Sequence, residues 1–174
     1  MKLIATVVGI TLVTILPSCT TTYRQPSEQM VSLAWPGGLT AQNEPFLGIW
    51  ELNLAKSSIT RGAPPRSETI VNVAEPGGFR STLAVVGATS TSVEIHHYNF
   101  DGSFHQTEGS DPRELSFKRV DPNAIEQETR RNGQVTVNRR IEVSKDGRTM
   151  TFIASGTTGG GQKYVNDTRV YEKK

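Results

Sequence analysis

The sequence predicts an all-β domain, an antiparallel up-and-down barrel of about 8–10 strands, with a two-sheet β-sandwich as the alternative. Three observations predict it. Short runs rich in Val, Ile, Thr, Phe and Tyr recur from Phe46 to Glu172, the composition of pleated, half-buried strands. The breaks between them carry turn chemistry: Pro76-Gly77-Gly78, Asp101-Gly102, Asn132-Gly133, Asp146-Gly147 and Gly159-Gly160-Gly161. Asn-Gly and Asp-Gly between alternating runs are the strongest short hairpin signals. No run has a helical period, and the best candidate, Ala55-Lys56-Ser57-Ser58, is too short to matter.

The runs follow one another at hairpin spacing. The first places Phe46, Trp50, Leu52 and Leu54 on one pleat face, with Gly48 between them. The rest fall at 68–74, 79–86, 92–100, 103–108, 115–120, 124–131, 134–144, 148–155 and 164–172. A meander of this size exposes two edges unless it closes, and closure into a barrel removes them. The short connections favour the barrel, because a sandwich usually needs longer crossovers.

Ahead of the strands lies a different kind of sequence. Met1-Lys2 is followed by residues 3–16, which carry no charge. That stretch is too short to span a bilayer, which takes about 20 apolar residues, and it suits the apolar region of a secretory signal. Leu16-Pro17-Ser18-Cys19 then resembles the lipobox of bacterial lipoproteins. The resemblance implies a signal peptide over 1–18 and lipid attachment at Cys19, which becomes the first mature residue. It implies export and anchoring to the bacterial cell envelope. Thr20, rather than Asp, after the cysteine matches sorting to the outer membrane, facing the periplasm. Cys19 is the single cysteine, so there is no internal disulfide framework. Residues 19–44 read as a flexible tether, with Thr20-Thr21-Thr22, Pro26, Pro36, Gly37 and Gly38, reaching roughly 25–30 Å as a coil. Trp35 within it is expected to lie against the domain or near lipid headgroups. Residues 45–174 form the barrel domain.

Gly48-x-Trp50-x-Leu52-Asn53, followed by Lys56-Ser57, resembles the first strand of the calycins, which comprise lipocalins and intracellular fatty-acid-binding proteins. With Tyr98-x-x-Asp101-Gly102 and residues 143–151 (VSKDGRTMT), the set is similar to a mostly uncharacterised family of exported, lipocalin-like bacterial proteins. The resemblance implies a barrel whose floor is closed by Trp50, with Arg169 in the final run as its cation–π partner.

Function is less legible. Alternation offers Phe46, Trp50, Leu52, Leu83, Val85, Val93, Ile95, Val135, Val137, Ile141, Met150 and Phe152 as inward residues. They either fill the interior or line a ligand cavity, and the sequence leaves both open. The candidate ligand-lining set is Phe46, Trp50, Leu52, Leu83, Ile95, Val137, Arg139, Met150 and Phe152. Arg139 is in phase with Val137, Ile141 and Val143, so it points inward, where an arginine must be paired. A two-residue Asn132-Gly133 loop puts Glu126 opposite it, and a three-residue bulged loop puts Ile125 there. Arg139 then either anchors a ligand carboxylate or forms a structural pair.

Arg130, Arg131, Arg139 and Arg140 cluster on one hairpin, among Glu126, Glu128 and Glu142. Losing the leader removes only Lys2, leaving 18 basic against 17 acidic residues, a balance that speaks against nucleic acid. His96, His97 and His105 flank the Asp101-Gly102 turn without metal-ligand spacing, and half-buried or exposed hairpin histidines are expected. Gly-x-Ser-x-Gly, Ser-x-x-Lys and His-Glu-x-x-His are absent. The expectation is a non-enzyme without cofactor or metal, holding a small apolar or amphipathic ligand in its barrel. The alternative is a protein-docking envelope lipoprotein with a filled interior.

Overall fold

A computed structural model describes residues 44–109 and 113–174. They form eleven antiparallel strands: β1 (Gly48–Leu52), β2 (Ser67–Glu75), β3 (Gly78–Val86), β4 (Thr91–Tyr98), β5 (His105–Gln106), β6 (Glu108–Gly109), β7 (Glu114–Asp121), β8 (Ala124–Arg131), β9 (Gln134–Val143), β10 (Thr149–Thr157) and β11 (Lys163–Lys173). A 3-10 turn at Leu54–Lys56 is the one helical element among the described residues. Residues 1–43, with the expected signal, Cys19, Trp35 and all of the expected tether but Glu44, lie outside them.

The order is β5-β7-β8-β9-β10-β11-β1-β2-β3-β4-β6. Its two ends, β5 and β6, are separated in sequence by Thr107 alone. One five-residue stave therefore bridges the remaining gap, pairing first with β7 (His105 opposite Leu115) and then with β4 (Ile95 opposite Glu108). The fold is the expected up-and-down barrel, nearly closed, with its thinnest wall between β4 and β7. That seam is held by side chains. The Tyr98 ring stacks on Phe117 at 3.8 Å, Arg113 forms a two-pronged ion pair with Glu94, and Ser116 Oγ donates to Gly102 O.

Apolar side chains fill the end of the barrel where β1 begins. Phe46, Trp50, Ile70, Phe79, Tyr98, Phe117, Ile125, Ile141, Met150 and Tyr171 belong to one buried cluster. Fully burying an aliphatic or Phe side chain contributes about 1.5–3 kcal/mol. The Trp50 indole N–H donates to Phe46 O at 2.9 Å, satisfying a donor that burial strips of water. Arg119 lies over the rings of Phe46 and Phe100 and pairs with buried Glu44. This end is a floor.

Toward the opposite end the inner face is only partly covered. Leu83 and Val85 share the inward face of β3 with buried Phe79 and Ser81, yet they keep partial exposure. The β1–β2 connection runs along this rim and is tied to β11. Ser58 bridges Thr168, and the Thr60 and Arg61 amides both donate to Asp167 Oδ1.

Two bulges bend the wall near the rim. One lies in β9: Thr129 faces Val137 but Arg130 faces Val135, so Thr136 is the extra residue. The turn itself is the two-residue Asn132-Gly133, both with positive φ. Gly156 backs the bulge from β10, where a Cβ would sit 2.2 Å from Thr136 O. The second is a register shift between β10 and β11 near Asn166, which has φ of 56°.

Candidate functional site

The upper half of the barrel is polar on its inner face. Glu68, Ser81, His96, Gln127, Thr129 and Asp167 are all buried, and Glu94, Arg139 and Arg169 point inward beside them. Three groupings account for the charges.

The first joins β2 to β11. Glu68, 2 % exposed, accepts from Arg169 and from the Tyr171 hydroxyl at 2.5 Å. Burial works against the Arg169 charge, but Glu68, Tyr171 and Asp167 around it outweigh that and raise its pKa. Burial and the adjoining Glu68 carboxylate push the Tyr171 hydroxyl far up, so it stays protonated and donates. With two donors on Glu68, and Asp167 held by two backbone amides, this carboxylate side is satisfied.

The second lies at the seam. His96 Nε2 is 3.1 Å from Glu94 Oε2, and Glu94 is clasped by Arg113. Burial acts to raise the Glu94 pKa. The His96 hydrogen bond and the Arg113 charge outweigh it and bring it down to about 2. Burial depresses the His96 pKa below its usual value, with Arg113 and Arg139 adding to the effect and Glu94 opposing it. At neutral pH the imidazole is neutral and the carboxylate ionised.

The third is Arg139. The β9 bulge sets it opposite Gln127, so neither expected register holds: Glu126 and Ile125 face Arg140 and Ile141 instead. A one-residue slip moves a side chain across the sheet. Glu126 is thereby on the outer wall, 3.7 Å from Arg140. Arg139 Nη1 donates to Gln127 Oε1 at 3.1 Å, and its guanidinium lies 5.4 Å from the centre of the Phe152 ring. Among the described residues it has no carboxylate partner. Burial lowers its pKa, and the Arg169 and Arg61 charges add to this against Tyr98 and Tyr171; a guanidinium nevertheless stays charged. The result is a half-buried cation met only by an amide and a ring.

Comparison with known proteins gives no match. No family model fits the chain, and neither a curated protein nor a solved structure matches it significantly.

The predicted lining residues separate by depth. Phe46, Trp50, Met150 and Phe152 belong to the buried floor cluster, and Leu52 packs against it. Leu83 packs against its upper edge, and Val137 and Arg139 lie in the upper half, Val137 in a small cluster with Ala154 and Tyr164. Ile95 does not line the interior. In β4 the buried inward residues are His96 and Tyr98, so Ile95 and Val93, the latter 51 % exposed, face outward. Val135, 47 % exposed, is turned out by the bulge, and Leu54 lies past the end of β1 at 42 %. Arg169 is not the cation on Trp50. Lys173, directly opposite Trp50, places its ammonium 4.9 Å from the indole centre, while Arg169 is engaged by Glu68. His96 is buried rather than half-buried or exposed. Sequence reasoning missed Glu68 and Gln127, and did not place Glu94 and His96 inside the barrel. Their signal was parity alone, hidden because Val71, Val73, Val93 and Ile95 alternate with them and point outward.

On the outer wall, depressions of about 390 and 420 Å³ lie over β8–β10 and beside Asp121 and Lys145. Arg140 there is ringed by Glu142, Glu126 and Asp121, and Arg130 is clasped by Glu114 over the Phe104 ring. Paired charges of this kind single out no ligand.

Proposed function

We propose that this chain is a lipid-anchored envelope protein that takes a small amphipathic ligand into the open end of its barrel. The ligand's anionic group meets Arg139. Its apolar part lies against Leu83, Val85 and Val137. The role is binding, without turnover.

The observation that supports this most is the pairing of Arg139 with Gln127. Withdrawing a charge even partly from water is costly unless a counter-charge arrives; Arg139 is half-buried, and every inward carboxylate nearby is held by another partner. A ligand anion supplies the missing partner. The Cys19 anchor rests on the Leu16-Pro17-Ser18-Cys19 pattern, with two acyl chains giving stable attachment where one gives marginal binding.

The test is displacement of an environment-sensitive fatty-acid dye from the purified domain, with native mass spectrometry for carried-over ligand. Arg139→Gln is expected to weaken binding of an anionic amphiphile by about tenfold or more, since hydrogen bonds to a charged group contribute about 1.5–3 kcal/mol. Equal binding by Arg139→Gln, or a bare mass with no dye response, overturns the reading. Cys19→Ser is expected to release the chain from the membrane fraction.

The second reading, a protein-docking lipoprotein, draws on the outer face of β1–β4. Ile49, Val71, Thr82 and Ile95 lie in one uncharged row across four strands, and Glu51, Thr69, Ala84 and Val93 in the next, where Glu51 is the one charge. Exposed apolar patches mark interaction surfaces. Loss of a partner on charging Val93, with dye binding intact, would favour it.

A further inference from the structure

We propose that the interior site recognises a carboxylate ligand that also carries a hydroxyl group, with Arg139 taking the carboxylate and His96 Nδ1 accepting from the hydroxyl. This rests on the Arg139 reading above and names the ligand class of that same site.

The argument begins with which nitrogen of His96 holds the proton. Glu94 is ionised, because Arg113 clasps both its oxygens. An ionised carboxylate only accepts. The His96 nitrogen 3.1 Å from it, Nε2, is therefore the one that donates. A neutral imidazole has one N–H, so Nδ1 is left as a bare acceptor. No hydrogen bond to Nδ1 is found among the described residues, although the side chain is only 5 % exposed. Arg113 and Glu94 thus hold one tautomer in place, as a carboxylate fixes an imidazole in many functional sites.

The placement is the second step. His96 and Tyr98 share the inward face of β4. The Tyr98 ring stacks on Phe117, Phe117 faces Gln127 across β7–β8, and Gln127 faces Arg139 across β8–β9. This run of contacts links the inward face of β4 to Arg139 across the seam. The Arg139 charge is felt at His96. A simple alkanoate satisfies Arg139 and leaves the imidazole lone pair unmet. A hydroxy acid satisfies both. A site with a buried hydrogen-bonding group discriminates strongly against the ligand that cannot fill it.

The experiment compares decanoate with β-hydroxydecanoate by calorimetry on the intact domain, and reads the His96 tautomer by nitrogen-edited NMR at neutral pH. The hydroxy acid is expected to bind about tenfold more tightly to the native protein. His96→Phe removes that preference while leaving decanoate binding in place. His96→Asn, whose side-chain oxygen stands near the Nδ1 position, restores part of it. A purely structural histidine would shift both ligands together. The NMR spectrum is expected to show the Nε2–H form. Equal affinity for the two acids, or an Nδ1–H spectrum, overturns this inference and leaves the Arg139 reading standing. Binding of neither acid defeats both.

Discussion

At the scale of single residues, the molecule depends on how buried charges are met. Glu68 is surrounded by protein, and its two oxygens are taken by Arg169 and Tyr171. Removing one member of such a pair leaves the other charge stranded, which typically costs about 3–5 kcal/mol. Arg169 is a fifth exposed, so some water reaches it. We expect Glu68→Ala to cost about 3 kcal/mol of unfolding free energy, and Glu68→Gln less, because the amide oxygen still accepts from Tyr171. Urea denaturation checks this; a loss under about 1 kcal/mol would mean that Arg169 finds solvent easily and that the pair is peripheral. Arg139 offers the contrast. Its amide partner leaves it nothing comparable to lose, so Arg139→Gln should be nearly neutral for stability while it affects binding.

At the scale of elements, the bulge in β9 decides the chemistry of the site, and Gly156 permits the bulge. A methyl group there would meet Thr136 O at 2.2 Å, against backbone that cannot swing aside. Gly156→Ala is expected to destabilise by about 1–3 kcal/mol, the range for overpacking, and to move the amide resonances of residues 136–139. Unchanged Arg139 and Gln127 signals would show that the bulge is held by other contacts. The same element shows where sequence reading succeeds and where it stops. Runs and turns were legible, because β-branched residues and Asn-Gly or Pro-Gly breaks report local preference directly. The inward phase of Arg139, Ile141 and Val143 was legible from alternation. The register across Asn132-Gly133 was not, because a bulge adds one residue without any compositional mark. The phase of β4 was inverted because alternation assigns apolar residues to the interior. Here that interior is polar near the rim, and Val93 and Ile95 cover the outside instead.

At the scale of the whole molecule, the barrel has one weak line, the five-residue stave between β4 and β7, and two ionisable groups in Glu94 and His96 that stiffen it. Their shifts act in the same direction. His96 has a folded pKa below its unfolded value, so from about pH 6.5 downward the unfolded chain takes up a proton that the folded chain refuses. Glu94 is held at about 2 in the fold against 4.5 in the unfolded chain. Its contribution is complete above pH 4.5 and is lost as pH falls toward 2. Glu44 opposes them: burial raises its pKa even beside Arg119, so it favours the fold slightly as pH drops. The net expectation is a fall in stability from neutral pH to pH 3, on the order of 2 kcal/mol from Glu94 alone. Glu94→Gln should be less stable at neutral pH, since Arg113 loses its carboxylate, yet flatter between pH 5 and pH 3. Denaturant midpoints at several pH values measure this. Amide exchange should locate the opening, with Glu94, Ile95, Glu108 and Gly109 exchanging ahead of β9 and β10 as acid is added. A profile that is flat with pH, or a Glu94→Gln profile parallel to the native one, would remove the seam carboxylate from any role in keeping the barrel closed. The tenth stave would then owe its place to the Tyr98–Phe117 stack and its few ladder bonds.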